Sequence, residues 1–449
     1  MSRMNPRKSP RAKAVWLAAA LTASTGLAAP TAVAAPGPSG APVTAQQAGS
    51  AATFYDPPTE LPSRNGALIR TEALRLALGL PGVTGPLPGR ATRIMYRSTD
   101  SAGAPVAVTG AYVEPTVRWT GSGPRPLVAL APGTMGQGDH CAPSKALEKP
   151  LSLQDGSVSV GYENLAVYRL LARGAAVVVT DYVGLGTTGR LHTYVNRLDG
   201  GHAVLDAVRA ARALPGTSLT SRSPVGLYGY SEGGGAAASA AELQPSYAPD
   251  VPLAGAYAGA PPADLVAVLK AVDGSTLAAA LGWSINGFVQ SDPGMKPVLD
   301  KYINDKGRQA LAELSEACVG NGILGFAGAE STTWTKDGTS VADIVAAEPV
   351  VRAVLDGQRL GRTAPAAPVR VATGVHDDLV VHAQARRLAV DWCAAGADVT
   401  YVPVEVPDLG EKLVNHFLPL ITDQGDAIDW LTDRLAGRPA GSDCGALGR

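Results

Sequence analysis

The chain reads as an α/β protein in which a mostly parallel central sheet, flanked by helices, is interrupted by an inserted helical cap. Three observations support this. Short runs of β-branched residues alternate with longer helical patterns, the rhythm of βα units. The first two such runs follow each other with no room for a crossover helix, so they form an antiparallel hairpin at one edge. The interval 261–367 holds amphipathic helical segments and no strong strand.

Taken from the N-terminus, Arg3, Arg7, Lys8, Arg11 and Lys13 precede an apolar stretch over 14–29, and Ala32-Val33-Ala34 supplies the small residues of a cleavage site. Residues 1–34 are therefore expected to be a signal peptide, with Ala35 the new N-terminus. An uncleaved anchor is the alternative, but Ser24, Thr25, Gly26 and Pro30 interrupt the apolar run. No later stretch is long and apolar enough to span a membrane. The mature protein is expected to be extracellular, without a transmembrane segment. Residues 35–60, rich in Pro, Ala, Gly and Ser, read as a flexible lead-in.

Strands are expected at 92–97, 106–113, 126–131, 175–180, 225–230, 253–258, 369–373 and 399–404. Helices are expected at 162–173, 200–214, 232–243, 382–395 and 423–435. The later strands are continuous apolar runs, as strands covered on both faces should be. Residues 61–260 and 368–449 thus make the core. Within 261–367, helical segments fall at 264–272, 277–286, 307–318, 341–346 and 350–355. An independent second domain is the alternative for this interval, but neither end has linker composition.

Composition narrows the function. Hydrophobic residues make up 46% and charged residues 17% of 449, enough for a sizeable core. With 38 basic against 39 acidic residues the net charge is −1, and no basic run with interleaved aromatics occurs, so nucleic acid is excluded as a partner. Cys141, Cys318, Cys393 and Cys444 suit an exported protein with two disulfides. Of the three pairings, Cys393–Cys444 and Cys141–Cys318 are favoured, the second tying an early loop to the insertion. There is no Cys-x-x-Cys, and the six histidines have no ligand spacing, so neither a metal nor another cofactor is indicated.

The chemistry gathers at Gly229-Tyr230-Ser231-Glu232-Gly233, which follows an expected strand and opens an Ala-rich helix. A serine on such a strand-to-helix turn needs glycine two residues either side, because side chains there would collide. A plain Gly-rich turn is the bland alternative. A serine nucleophile needs a base oriented by a carboxylate, in the chain order Ser, acid, His. His376 precedes both candidate acids and His382 lies too close to them, leaving His416, on an expected loop of Pro, Asp, Gly and Asn. Asp377 is the favoured acid and Asp378 the alternative. The oxyanion donors are expected from the backbone N–H of Glu232 and from Thr134 in Pro132-Gly133-Thr134-Met135-Gly136, unless that loop is a simple turn.

These residues, with Cys141-Ala142-Pro143-Ser144, Thr180-Asp181-Tyr182-Val183-Gly184-Leu185-Gly186, Leu205-Asp206-Ala207-Val208-Arg209-Ala210-Ala211, Asp391-Trp392-Cys393 and Asp433-Arg434-Leu435-Ala436-Gly437, resemble the secretory lipase family. These are α/β-hydrolases of actinobacteria and fungi, of the yeast lipase A type. The resemblance runs from about Thr53 to Cys444. It implies a triacylglycerol lipase or broad carboxylesterase with a Ser231-Asp377-His416 triad, a helical cap, disulfides and no metal requirement. Two departures stand out: Glu232 where Gln is frequent, and Val381 where Pro is usual after the acid. The expected partner is a lipid or other ester, with transient contact to a lipid surface through an apolar cap bearing Trp283, Phe288 and Phe326; the alternative is that these aromatics fill the cap's core. A secreted serine peptidase and a catalytically inactive binding protein on the same scaffold are the rival functions, and no propeller repeat supports the first.

Overall fold

The computed structural model describes residues 53–77, 89–154 and 157–447. The expected signal peptide and residues 35–52 of the lead-in lie outside the described residues. The lead-in ends sooner than residue 60. Tyr55 is buried, bonds Ser144 Oγ at 2.9 Å, and lies under the Lys145 ammonium at 4.0 Å, so an aromatic finds a pocket where composition suggested a mobile segment.

The strands are β1 Leu68–Leu74, β2 Gly89–Thr99, β3 Pro105–Pro115, β4 Leu127–Ala131, β5 Leu151–Gln154, β6 Ser157–Val160, β7 Ala176–Val183, β8 Val225–Tyr230, β9 Leu253–Gly259, β10 Val369–Gly374 and β11 Val399–Val404. Among the described residues nine of them form one sheet, in the order β1-β2-β3-β7-β4-β8-β9-β10-β11, while β5 and β6 pair apart as a hairpin. From β7 to β11 all neighbours are parallel; β1, β2 and β3 add antiparallel. The fold is α/β with a mostly parallel sheet. The β2–β3 hairpin is not the sheet's edge, because β1 covers it. With Arg70, Thr71 and Glu72 at its middle, β1 lacks the apolar signal of the inner strands, and such charge suits an edge that must not pair further.

Helices α1 Pro143–Glu148, α2 Asn164–Ala172, α3 Arg197–Ala213 and α4 Glu232–Tyr247 precede β9. Helices α3 and α4 pack closely because their facing residues are small: Ala203, Ala207, Ala237, Ala240 and Ala241 are fully or almost fully buried. Helix α2 covers the opposite face with Leu170 and Leu171, joined there by Ile428 and Leu431.

Between β9 and β10 run α5 Leu265–Val272, α6 Ala279–Ser291, α7 Lys296–Tyr302, α8 Asp305–Ser315, α9 Val319–Phe326, α10 Val341–Ala347 and α11 Pro349–Gly357. They enclose an apolar core of their own around Trp283, Phe288, Leu314 and Trp334. Trp283 and Phe288 are 0% and 3% exposed, so neither is a surface residue awaiting lipid. The insertion is fastened to the loop after β4. Val319 N–H donates to Met135 O at 2.8 Å, Gln137 N–H to Ala317 O at 2.9 Å, and Cys141 is disulfide-bonded to Cys318.

The chain closes with α12 His382–Ala394, α13 Lys412–Thr422, α14 Gln424–Leu435 and α15 Cys444–Leu447, and Cys393 is bonded to Cys444. Arg370 on β10 makes a two-pronged ion pair with Asp423, the residue between α13 and α14, with both bonds 2.6 Å and both side chains 5% exposed. Removing one partner strands the other charge in a low-dielectric site. Asp423→Ala should therefore lower unfolding free energy by roughly 3–5 kcal/mol, measured by urea denaturation. A loss under about 1 kcal/mol would show the pair to be no better than a surface bridge.

Candidate active site

The strand β8 ends in a turn that lifts Ser231 above the sheet. Its φ is 58° and ψ −125°, a left-handed conformation that a serine adopts only when its surroundings enforce it. A Cβ at Gly229 would lie 2.1 Å from Gly233 O, and one at Gly233 would lie 2.0 Å from Ala131 O, so glycine is required at both. Ser231 N–H donates to Gly259 O at 2.9 Å, and Ser231 O accepts from Gly235 N–H at 3.0 Å, which fixes the turn from both sides.

His416 Nε2 stands 2.9 Å from Ser231 Oγ, and His416 Nδ1 stands 2.7 Å from Asp377 Oδ2. The other oxygen of Asp377 accepts from the N–H groups of Leu379 and Val380. His416 and Asp377 are each 2% exposed. Asp378 points elsewhere: its carboxyl makes no bond to His416 among the described residues, and burial raises its pKa. His382 bonds Gly374 O and Tyr401, and His376 is exposed.

His416 does not sit on a loop. It lies in the second turn of α13, whose N-cap Glu411 accepts from Val414 N–H at 3.1 Å. The proline and glycine signals that suggested a loop have other uses. Pro407, Asp408 and Gly410 precede the cap and Asn415 lies within the helix, where Pro419 packs on Gly374 at the end of the acid's strand. Tyr230 OH donates to His416 O at 2.7 Å, holding the histidine's backbone from the residue beside the nucleophile.

The loop after β4 is bonded at almost every polar group. Tyr182 OH donates to Pro132 O at 2.7 Å, Gly133 N–H to Glu163 Oε1 at 2.8 Å, and Tyr162 OH to Thr134 O at 2.9 Å. Thr134 Oγ1 pairs with Tyr194 OH at 2.8 Å. Among the described residues the N–H groups of Thr134 and Glu232 have no protein acceptor. Beside Ser231, Glu232 and His416 opens a mostly apolar cavity that Tyr194 lines and Thr134 does not. Burial holds the Tyr162 and Tyr194 phenols well above their ordinary pKa, so both remain hydrogen-bond donors.

Tyr162, Glu163, Tyr194 and the Tyr230 hydroxyl escaped the sequence reading. Tyr230 stands within the nucleophile motif at a position that tolerates any residue, the others sit in no motif, and each acts through a contact between segments distant in the chain.

Glu163 is buried, its second oxygen has no partner among the described residues, and burial pushes its carboxyl up to about 7. Between 4.5 and about 7 the unfolded chain is ionised there while the folded one holds its proton, so stability falls as pH rises through that window. Glu163→Gln keeps an acceptor for Gly133 and cannot ionise. It should match the wild type near pH 4 and be more stable above about pH 8, by up to roughly 3 kcal/mol, seen as thermal midpoints that coincide at low pH and diverge as pH rises. Parallel midpoint curves would refute it.

Comparison with known proteins identifies relatives of this chain. The secretory lipase family model matches residues 147–443. A Mycobacterium tuberculosis protein named "probable inactive lipase" is 32% identical over 86% of this chain and 82% of its own length. A secreted triacylglycerol lipase of Malassezia globosa is 28% identical, over 71% of this chain and 67% of its own. The crystal structure of Candida antarctica lipase A superimposes with a TM-score of 0.71 at 19% identity, covering 85% of this chain and 84% of that one, which speaks for the fold. The matched span takes in the nucleophile turn, the acid's loop and the histidine's helix together, and the chain belongs to the secretory lipase family.

Proposed function

We propose that this protein is a secreted serine hydrolase of carboxylic esters, a triacylglycerol lipase or carboxylesterase. One observation carries the reading: Asp377, His416 and Ser231 stand in an unbroken line of hydrogen bonds at 2.7 and 2.9 Å, at the mouth of an apolar cavity. Ser231 Oγ attacks the ester carbonyl as His416 Nε2 takes its proton. Asp377 holds Nδ1–H and stabilises the imidazolium. The N–H groups of Glu232 and Thr134 receive the oxyanion, and His416 then protonates the departing alcohol. Water, activated by the same imidazole, releases the acid from Ser231.

The cavity suits a fatty acyl chain. Leu269, Ser284, Phe288 and Leu355 line both it and a second, almost wholly apolar space within the insertion. An acyl chain leaving Ser231 would run between these four residues into the second space. Each sequestered methylene contributes about 0.8 kcal/mol. Lipid-surface contact is supported by the β5–β6 hairpin, which is inside out: Leu151 and Leu153 are 63% and 74% exposed, while Ser157 and Ser159 are buried. Two disulfides and secreted relatives support export. The name of the mycobacterial relative raises an inactive scaffold as a second reading, and the hydrogen-bonded line from acid to serine speaks against it here.

Ser231→Ala should reduce kcat/KM on p-nitrophenyl esters at least about a thousandfold and abolish labelling by a serine-directed phosphonate. Full activity with labelling retained would end the assignment. Phe288→Trp should narrow the passage, cutting kcat/KM for long-chain esters about tenfold while leaving the acetate within about threefold. An equal loss on both would show that acyl chains do not pass Phe288.

A further inference from the structure

The segment between β7 and α3 carries two buried side chains that reach opposite halves of the oxyanion site. His192 Nε2 meets Glu232 Oε1 at 2.9 Å, and Tyr194 OH meets Thr134 Oγ1 at 2.8 Å. We propose that His192 and Tyr194 are positioning residues which together set the two oxyanion donors, Glu232 and Thr134, at a fixed separation. The proposal rests on the acyl-transfer reading above.

The segment itself is rigidly held. Thr193 N–H donates to Val183 O at 3.2 Å, and Gln137 Nε2 donates to His192 O at 2.9 Å. Gln137 also donates to Trp283 O and accepts from Asn286, both on α6, so the insertion fixes the same segment from above. The imidazole lies nearly parallel to the Tyr182 ring with centroids 5.8 Å apart, and the Tyr194 ring meets Trp283 edge-on at 5.8 Å. His192 and Tyr194 are 2% and 5% exposed, so packing encloses both.

Hydrogen-bond bookkeeping assigns the protons at His192. Nδ1 faces Val183 O at 3.1 Å, and a carbonyl only accepts, so Nδ1 carries hydrogen. Nε2 then faces a carboxyl oxygen, and that contact needs one proton, on either atom. The pair is therefore neutral as a unit, which removes the penalty of a lone carboxylate beside a developing oxyanion. Glutamine at this position would need no such partner. The glutamate makes His192 necessary.

At Thr134 the logic is directional. If Tyr194 OH donates to Oγ1, the threonine hydroxyl keeps its own hydrogen for the oxyanion, beside its N–H. Tyr194 lines the cavity and fixes the threonine rotamer from the substrate side.

The test is steady-state kinetics on a p-nitrophenyl ester with the full exported chain, each kcat normalised to Ser231 titrated by phosphonate. Tyr194→Phe should lower kcat roughly tenfold, less than the loss of a whole donor, with KM within about threefold. In a Thr134→Val background the same change should cost less than about twofold, because the hydroxyl it orients is gone. His192→Phe should lower kcat at least about tenfold, and adding Glu232→Gln should restore most of that loss, which a packing defect alone would not allow. Wild-type kcat in Tyr194→Phe, an undiminished effect in the Thr134→Val background, or no rescue by Glu232→Gln would each overturn the brace. A wild type that phosphonate does not label at Ser231 would instead overturn the acyl-transfer reading beneath it.

Discussion

Everything at this site depends on the turn that holds Ser231 at positive φ. Left-handed backbone at a non-glycine residue costs on the order of 1–3 kcal/mol and survives only where neighbours leave no other option. Here the neighbours are backbone atoms: Ala131 O and Gly233 O approach so closely that no side chain fits between strand and helix. The strain is thus enforced by the sheet, with β8 paired on both sides by β4 and β9. The same pairing decides what surrounds the serine. The chain leaves β4 for β7 on one side and returns to β8 on the other, so the loops after β4 and β8 diverge at a switch point, where open parallel sheets bind ligands.

The insertion has a second consequence besides making an apolar chamber. It pairs its backbone with Met135 and Gln137, is disulfide-bonded to Cys141, and holds Gln137 from α6. The loop carrying Thr134 is therefore held by four parts of the chain: β4, the insertion, and the segments around Tyr162 and Tyr194. A lid free to swing as one body would carry this loop with it.

What the sequence made legible follows a physical rule. The nucleophile turn, the inner strands and the large helices announce themselves because their constraints are local: glycine spacing, apolar runs, helical period. The Asp377–His416 contact was readable only through chain order. His416 reads as a loop residue because Pro407, Asp408 and Gly410 are turn formers, whereas α13 begins directly after them, capped by Glu411, and Pro419 packs against Gly374 and ties α13 to β10. Strand β1 and the β5–β6 hairpin were missed for the same kind of reason. One carries charge along its middle, and the other turns leucines outward, so burial patterns learned from ordinary strands do not apply. The supports of the oxyanion loop were invisible because each is a single tyrosine or glutamate whose partner lies elsewhere in the chain.

The supports share an electrostatic logic. Burial leaves the phenols of Tyr162, Tyr182, Tyr194 and Tyr230 protonated and Glu163 reluctant to ionise, while Glu232 is paired with His192. The groups nearest the nucleophile therefore offer dipoles or neutral pairs, in a dry setting where a fixed donor is worth more than in water. Net charge enters through Asp377, whose two oxygens are already committed to His416 and to two backbone N–H groups. In the proposed acyl transfer the imidazolium and oxyanion would form in surroundings whose hydrogen bonds are already oriented. On the proposed arrangement, glutamate beside the nucleophile is tolerated because His192 stands 2.9 Å away to share a proton with it.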